Sequence, residues 1–310
     1  MREQIIDLWK TSFGDTDDFI RLWFDRVYKD EQTIVIEENE KVISALQILP
    51  YEMTFCGTTI PVGYICGVCT LPSERGKGYM SRLMHQAMEK MQDRRYALAI
   101  LIPATPGLFE LYHRFDFVNA FDYSIEEIQS NDSISNPDSG IRIFSYKNQS
   151  SDAIYSYYHT KQCERDSSVI HSAYQFETIC HDRILGGGKI WVALANEQPV
   201  GLAFTDPIDG KTLSIREMIF ENTDTKYQLV QSMLTHHQLH DAKLRTPPTP
   251  FKSVPYGMAR MINKELMLSL HHSFHHNNIL PVLNNLDIPS LTQTLLNYEQ
   301  RQTYMNLMLD

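Results

Sequence analysis

A glycine-rich turn between a strand-like run and a helix-like run most limits what this chain can fold into. Residues 62–71 (VGYICGVCTL) read as a buried strand, and residues 81–94 (SRLMHQAMEKMQDR) show helical spacing of apolar side chains. Between them stands RGKGYM (75–80), with two glycines and two cations. Free backbone N–H groups and the helix dipole make a helix N-terminus an anion site, and glycines let a ligand come close. The stretch therefore predicts a phosphate-binding turn, with a simple tight turn as the alternative.

The segments around this turn predict a mixed α/β (α+β) fold of two similar halves. In the first half, apolar periodicity predicts helices at 16–28, 79–94 and 108–115 and strands at 33–37, 41–49, 59–71, 96–102 and 117–128. A similar order recurs as helices at 152–165, 171–185 and 225–240 and strands at 189–195, 199–205, 211–220 and 242–246. Before its last helix the second copy has ENTDTKYQ, with two acids and no glycine. Because acids repel phosphate, we expect no phosphate site there.

Two polar or proline-rich segments divide the 310 residues. SNDSISNPDSG (130–140) predicts a linker, and RTPPTPFKSVP (245–255) predicts a second boundary. The predicted domains are 1–129, 141–246 and 247–310. The last region has a strand-like YGMARMI, a helix from about 263 and a helix-like stretch at 290–300. Because about 60 residues form only a marginal core, we expect this region to pack on the others.

Composition narrows the class of partner. The net charge of −10 argues against a nucleic acid or an anionic membrane as the main partner, and it is compatible with a cationic substrate. The first residues, MREQIIDLWK, carry acids and bases and do not resemble a signal peptide. No apolar run reaches membrane-spanning length. The expected compartment is the cytoplasm.

Cysteine and histidine motifs are weak evidence for a metal. Five cysteines are too few for a disulfide framework, and Cys66 and Cys69 (C-x-x-C) both fall inside the predicted strand. We therefore expect two buried cysteines and neither a redox pair nor a zinc site. The run HHSFHH (271–276) offers two i,i+4 histidine pairs but no acid or cysteine partner. We expect a solvated helix face there, and no metal in the protein.

The segment LYHRFDF (111–117), after one more predicted strand, adds context to the turn. Together with PSERGKGYMSRLM it resembles the GNAT superfamily of acyl-CoA-dependent N-acetyltransferases. The resemblance implies an acyl-CoA N-acyltransferase fold in which the phosphate turn holds the pyrophosphate of coenzyme A. It also implies that backbone groups of the preceding strand bind the pantetheine arm. The cofactor-binding residues implied are Val68, Cys69, Thr70, Arg75, Gly76, Lys77, Gly78, Tyr79, Met80 and Ser81.

Two positions depart from the family's motifs. Met80 stands where the turn has Gly or Ala, and Asp116 stands where the Y-x-x-x-G-F element has glycine. A bulky residue at 80, a second half without the turn and a small last region resemble the Eis-type (enhanced intracellular survival) acetyltransferases. These have a GNAT domain, a degenerate GNAT domain and a sterol-carrier-like domain. Here residues 247–310 imply a shortened sterol-carrier-like region. The resemblance also allows a homo-oligomer.

Acetyl transfer from a thioester to an amine sets the chemical roles. The amine must lose a proton, and the leaving thiolate benefits from a proton donor. A tyrosine hydroxyl suits the donor, because it is neutral at pH 7. Tyr112 matches the family's general-acid tyrosine, with a half-buried helix tyrosine as the alternative. The resemblance implies the C-terminal carboxylate, here that of Asp310, as general base, and Asp15 as a substrate contact; the alternatives are a tail docked for packing and a helix cap.

The resemblance therefore implies an N-acetyltransferase that uses acetyl-CoA as co-substrate. It would transfer acetyl directly to a primary amine of a polyamine-like or aminoglycoside-like cation, or of a lysine side chain. Two alternatives stay open. One is another acyl-CoA or peptidyl transferase with a tandem GNAT fold, and the other is a CoA-binding sensor or scaffold without catalysis.

Overall fold

A computed structural model describes six stretches of the chain: residues 1–130, 140–146, 152–249, 252–276, 280–300 and 303–309. The α-helices in these stretches are Arg2–Ser12 (α1), Asp17–Arg26 (α2), Tyr79–Asp93 (α3), Pro106–His113 (α4), Asp152–Cys163 (α5), Ala173–Leu185 (α6), Thr223–His237 (α7), Lys264–His275 (α8), Leu280–Asn284 (α9) and Ile288–Leu295 (α10). The strands are Thr33–Glu38 (β1), Lys41–Phe55 (β2), Thr58–Thr70 (β3), Leu98–Leu101 (β4), Val118–Gln129 (β5), Arg142–Tyr146 (β6), Val169–Ile170 (β7), Lys189–Ala195 (β8), Gln198–Thr205 (β9), Thr212–Phe220 (β10), Asp241–Thr246 (β11) and Val254–Met261 (β12). The predicted mixed α/β class is confirmed.

A single twelve-stranded sheet runs through both halves of the molecule. Its order is β1-β2-β3-β4-β12-β5-β11-β10-β9-β8-β6, with β7 paired to β2. Only the β3–β4 and β10–β11 pairs are parallel among the described strands. Strand β5 joins the halves, because its first part pairs with β12 and its second part pairs with β11. Backbone hydrogen bonding therefore continues from one half into the other.

Apolar periodicity explains why the elements around the turn form. In α3 the side chains of Leu83, Ala87 and Met91 recur every four residues, and all three are fully buried against the sheet. In β2 burial alternates beyond the predicted end at residue 49, since Tyr51 and Met53 are buried while Glu52 is exposed. The helices α1 and α2 cover the opposite face of the sheet through a core that contains Trp9, Trp23 and Tyr64.

The C-terminal region contributes to the sheet of the first half. Its strand β12 lies between β4 and β5, about 130 residues away in sequence. Helices α8, α9 and α10 follow, and residues 303–309 form a buried tail. The described part of residues 247–310 contributes one strand, β12, to the sheet. The sterol-carrier-like region and the domain division stay predictions. The predicted linker falls largely on residues outside the described stretches.

The remaining differences from the sequence predictions concern short or terminal elements. Helix α1 and the strands β6 and β7 were not predicted, and the helix expected at 290–300 ends at Leu295.

None of the described helices is long and apolar enough to cross a membrane. The histidine run lies at the end of α8, where His272 and His275 are exposed. Within the described residues, no group of three or more His, Cys, Asp or Glu side chains could hold a metal ion.

Candidate active site

An open edge of β3 forms the first part of the site. Strands β3 and β4 pair from Val62 to Ile65, and beyond that point β3 continues to Thr70 paired only with β2. A bulge marks the separation: Cys66 faces Gln47 while Cys69 faces Ala45, so β3 holds one extra residue. On the β4 side, residues 66–70 of β3 therefore have no strand partner among the described residues, and we call this open edge the slot. The predicted pantetheine contacts, Val68, Cys69 and Thr70, all lie along this slot.

Gly67 makes the bulge possible. Its φ of 59° lies in the left-handed region, which favours glycine. A Cβ at this position would lie 2.6 Å from the ring of Trp9, which packs directly on the bulge. Both the backbone conformation and the close approach of Trp9 therefore require glycine here.

The glycine-rich turn follows the slot and leads into α3. Gly76 and Gly78 have φ of 80° and 83°, and no atom lies within 4 Å of the Cβ position at either residue. Gly78 caps α3 without a side chain. The first helical bond runs from the N–H of Arg82 to the carbonyl of Gly78, so the N–H groups of the first helical residues have no intrahelical partner. Those residues are Tyr79, Met80 and Ser81.

Charged side chains of both signs surround the turn. The exposed Arg75 uses Nε to donate to the Thr70 carbonyl at 3.3 Å. The Nζ of Lys77 lies 2.8 Å from Glu74, which raises the pKa of Lys77, and the hydroxyl of Tyr79 donates to Glu38. An arriving anion would find the turn backbone and Arg75 open to it, and it would compete with Glu74 for Lys77.

The equivalent helix of the second half differs in the ways expected from its sequence. Before α7, the side chain of Asn222 accepts the N–H of Thr225 at 2.9 Å, and Asp224 lies in the first turn. A capped and acidic helix N-terminus leaves fewer free donors for a phosphate and repels its charge. The second half keeps the strand bulge, between Ile215 and Glu217 of β10. Of these two helices, only α3 thus begins without a side-chain cap and without an acid in its first turn.

Tyr112 lies on α4 at the start of the slot. Only 6% of its surface is exposed, and it belongs to the core cluster against which Val68 and Met80 pack. Burial, and secondarily the nearby Cys66 thiol, raises the pKa of Tyr112 to about 12. Its hydroxyl is therefore protonated at neutral pH and can donate a proton. The side chain of Met80, the residue that departs from the turn motif, packs against this cluster.

Asp116, the other departure from the motifs, occupies a position that suits glycine. Its φ is 60°, in the left-handed region, where the chain turns from α4 into β5. The next residue, Phe117, donates its N–H to the carbonyl of Tyr112 at 3.3 Å and packs its ring 6.1 Å from the Tyr112 ring. The Asp116 carboxylate pairs with Nη2 of Arg260 on β12 at 3.2 Å. Asp adopts this left-handed conformation more readily than most residues do. At this position it also forms the ion pair.

Of the two strand cysteines, Cys69 is buried and Cys66 is partly buried. Burial raises the pKa of Cys69 to about 12 and that of Cys66 further. Neither is a thiolate at neutral pH, so neither has the reactivity of a catalytic cysteine. The expectation of buried strand cysteines is confirmed for Cys69, whereas Cys66 is only partly buried.

Asp15 is connected to the slot through the side chain of Trp9. Its carboxylate accepts the indole N–H of Trp9 at 2.7 Å, and Trp9 packs on Gly67. The helix-cap alternative for Asp15 is wrong, because the side chain of Thr16 caps α2 by accepting the N–H of Phe19. Asp310 lies outside the described residues.

A cavity of about 400 Å³ between the two halves is a feature that the sequence did not reveal. Its walls come from the end of α2, from β2, from α5, α6 and the segment between them, and from the tail residue Leu309. The residues involved are far apart in the chain and carry no common motif. Only their packing brings them together.

The first 120 residues match a known family. They correspond, over residues 2–120, to the acetyltransferase (GNAT) domain. The protein is accordingly an enzyme of the N-acetyltransferase class, and domains of this kind transfer an acyl group from coenzyme A. No curated protein sequence matches the chain significantly.

Solved structures share the fold over most of the chain. A probable N-acyltransferase from Enterococcus faecalis V583 has a TM-score of 0.72 at 16% identity, covering 86% of this chain and 72% of that one. A GCN5-related N-acetyltransferase from Anabaena variabilis ATCC 29413 has a TM-score of 0.70 at 16% identity, with 86% and 71% covered. Eis1 from Mycobacterium abscessus has a TM-score of 0.68 at 13% identity, with 87% and 73% covered. These likenesses extend through the second half and show the fold alone.

Proposed function

We propose that the protein transfers an acetyl group from acetyl-CoA directly to the primary amine of a cationic small molecule or of a lysine side chain. The observation that carries this proposal is the continuous path from the slot beside β3 to the glycine turn at the N-terminus of α3, with Tyr112 buried at the slot's start. The Eis-type subfamily, the cytoplasmic location and a homo-oligomeric state remain part of the proposal.

The residues along this path fit coenzyme A. Backbone N–H groups of the turn and of the first turn of α3 would hold the pyrophosphate, helped by Arg75 and Lys77. The open space around Gly76 and Gly78 leaves room for phosphate oxygens against the backbone. Backbone groups of Val68, Cys69 and Thr70, which face no strand on the β4 side, would bind the pantetheine amides. The cofactor itself supplies the acetyl thioester.

Proton transfers complete the proposed reaction. The amine nitrogen forms a bond to the acetyl carbon, the carbon–sulfur bond breaks, and the hydroxyl of Tyr112 gives its proton to the leaving sulfur. A base must take the proton from the amine, and Asp310 is the proposed base. In support of this, the preceding residue, Leu309, lines the cavity between the halves. Asp15, held by Trp9 beside the bulge, is the proposed contact to the acceptor.

A Tyr112→Phe variant tests the proposal. Loss of a general acid typically lowers turnover by about 10²–10⁴-fold, so we expect that loss in thiol release from acetyl-CoA with an accepted amine. The dissociation constant of CoA should change by less than about 3-fold, since the ring still fills its place in the core. Tyr96→Phe, which alters another buried tyrosine of the same cluster, is the matched control and should keep full turnover.

Two results would count against the proposal. Unchanged turnover in Tyr112→Phe would remove Tyr112 from the acid role. Thiol release with no amine at all, while CoA still raises the thermal unfolding temperature, would favour a CoA-binding sensor.

A further inference from the structure

Another cavity, of about 410 Å³, lies where the two halves join. Its walls come from β5, β10, β11 and β12 and from the residue that follows β9. Strand β5 changes its pairing partner here, since Tyr123 faces Val254 of β12 while Ile125 faces Arg245 of β11. The cavity shares no residue with the slot, with the glycine-rich turn or with the cavity that Leu309 lines. It is therefore separate from the coenzyme A path.

Two tyrosine rings hold Arg245 in the wall of this cavity. Its guanidinium carbon lies 4.0 Å from the centre of the Tyr123 ring and 3.8 Å from that of the Tyr256 ring. The two rings are nearly perpendicular, at 81°, so the guanidinium occupies the corner between them. Such contacts stabilise a cation through the faces of the rings. They use none of its N–H groups, so the hydrogen-bonding edge of the guanidinium is left for another partner.

Arg245 has hydrogen-bond donors that the described residues do not satisfy. Its Nε and Nη2 are buried, and neither has a hydrogen-bond partner. It also forms no ion pair with a described carboxylate. A buried polar group without a partner costs free energy, and the cost is larger for a charged group. Because a guanidinium presents its N–H groups as a planar fork that matches the oxygens of a carboxylate or phosphate, an oxyanion in the cavity would satisfy these donors.

The carboxylates around Arg245 are bonded to other donors. Asp206, the one carboxylate in the described wall, accepts from Arg183 at 2.8 Å and from Arg216 at 3.1 Å. The buried Glu217 interacts electrostatically with Arg245, but its carboxylate accepts hydrogen bonds from two side chains of the C-terminal tail. Neither carboxylate is therefore the hydrogen-bond partner of Arg245.

The rest of the wall suits the body of a small molecule. About 410 Å³ is within the size range of ligand pockets and exceeds what a phosphate ion fills. Ile125 and Ile215 add apolar surface beside the tyrosine rings. Lys243 also belongs to the wall, but its ammonium lies 3.8 Å from Glu127. Arg245 is thus the cation of β11 that lacks a described carboxylate partner.

We infer that this cavity binds a small molecule through a carboxylate or phosphate group held by Arg245, with the apolar part of the molecule against Ile125 and Ile215. No residue of the coenzyme A path takes part, so the site does not depend on acetyl transfer. A ligand here contacts β5, β11 and β12 together, and it would stabilise the junction of the two halves.

Three probes test this site: benzoate, its neutral analogue benzamide, and inorganic phosphate. Binding is followed by calorimetry on the full chain at constant ionic strength. The chain is saturated with CoA, so that the glycine-rich turn does not add a second phosphate site. We expect benzoate to bind about 10-fold or more tightly than benzamide, because only the carboxylate forms charge-assisted hydrogen bonds with the guanidinium. Binding of phosphate would extend the site to phosphate esters, and binding of benzoate alone would assign it to carboxylates.

Arg245→Met removes the charge and keeps an unbranched side chain between the rings. It should weaken binding of the anion by about 10-fold or more while the dissociation constant of CoA stays unchanged. Arg142→Met is the matched control, because Arg142 also stacks on a ring, that of Phe144 at 5.5 Å, on a strand outside the cavity. Lys243→Glu is a second variant, which leaves Arg245 and its packing in place. By repulsion it should weaken the same binding by about 3-fold or more, even if Arg245→Met fails to fold.

The outcomes separate this site from the proposed function. Equal affinity for benzoate and benzamide, no binding of either anion, or anion binding unchanged in both variants would overturn the site, whether or not amines are acetylated. Anion binding that depends on Arg245, in a chain that releases no thiol from acetyl-CoA with any amine, would support the site and count against the proposed function. If CoA does not bind, the dependence on Arg245 still distinguishes this site from the glycine-rich turn.

Discussion

At the scale of single residues, backbone conformation explains the glycines of the site. Gly67, Gly76 and Gly78 all have positive φ, but only Gly67 also has a neighbour that excludes a Cβ. The two turn glycines face open space, so the fold favours glycine there through the left-handed backbone alone and not through a close neighbour. Their lack of a Cβ matters for a ligand that must reach the backbone.

Gly78→Ala is expected to weaken CoA binding by about 10-fold or more, because its Cβ occupies space that the phosphates need. The left-handed conformation should also cost about 1 kcal/mol of unfolding free energy. Gly210→Ala is the matched control, since Gly210 has φ of 88° and equally open surroundings away from the site. Calorimetric titration with CoA and urea unfolding measure the two effects. Equal CoA affinity in both variants would show that the turn does not bind the phosphates.

Asp116→Ala should lower the unfolding free energy by about 1–2 kcal/mol, because alanine meets the full left-handed penalty and loses the pair with Arg260. Asp116→Gly should recover most of that loss, since glycine adopts φ of 60° freely. Urea unfolding of both variants measures the difference. If the two variants are equally stable, the backbone conformation at 116 does not govern stability.

At the scale of elements, the C-terminal tail depends on a buried carboxylate of the second half. The hydroxyl of Tyr304, at 2.6 Å, and the side-chain amide of Asn306 both donate to Glu217, which is 1% exposed on β10. Burial raises the pKa of Glu217, although both donors favour its ionised form. Backbone bonds from Tyr304 to Ser167 and from Val169 to Tyr304 fix the same segment. The tail thereby carries Leu309 to the wall of the cavity.

Tyr304→Phe removes one donor to the buried Glu217, and we expect a loss of about 1.5–3 kcal/mol in unfolding free energy. A displaced tail should also raise KM for the acceptor while CoA binding stays unchanged. Tyr227→Phe on α7 is the control, since its hydroxyl lies away from the tail. Wild-type stability and KM in Tyr304→Phe would show that the backbone bonds alone hold the tail.

At the scale of the whole molecule, the two halves share a sheet and a core. One core cluster contains Trp23 of the first half, Phe204 of the second half and Leu309 of the tail. His171 lies in this shared region, where its Nδ1 is 2.9 Å from Nε2 of Gln162 and 3.1 Å from the hydroxyl of Tyr158. An amide nitrogen only donates, so Nδ1 accepts and the imidazole is neutral.

Acid should destabilise the protein through His171. Burial lowers its pKa from 6.5 to about 3, so between these values the unfolded chain binds a proton that the folded chain does not. Stability from this group is therefore present above pH 6.5 and is lost as pH falls toward 3, by at most about 1.4 kcal/mol per pH unit. Urea unfolding at pH 7 and 5 should show this slope. It should shrink in His171→Gln and persist in His276→Gln, which alters an exposed histidine; an unchanged slope in both would locate the acid sensitivity elsewhere.

Local patterns explain which parts of the fold could be predicted. The helical period of α3 and the continuous apolar run of β3 are both visible in consecutive residues, and the glycines and cations of the turn lie close together in sequence. The GNAT resemblance rested on such local motifs and was confirmed for residues 2–120. Asp15, in contrast, was placed by analogy, and its bond to Trp9 follows from how α1 and α2 pack together.

The sequence by itself determined the α/β class, the strand–turn–helix unit and the GNAT resemblance of residues 2–120, because each is encoded by neighbouring residues with a fixed period or spacing. Tertiary structure alone decided that β12 fills the space between β4 and β5, and that α2, β2, α6 and the tail enclose a cavity. The physical reason is that strand pairing and packing between segments a hundred residues apart depend on contacts that no local stretch of sequence contains.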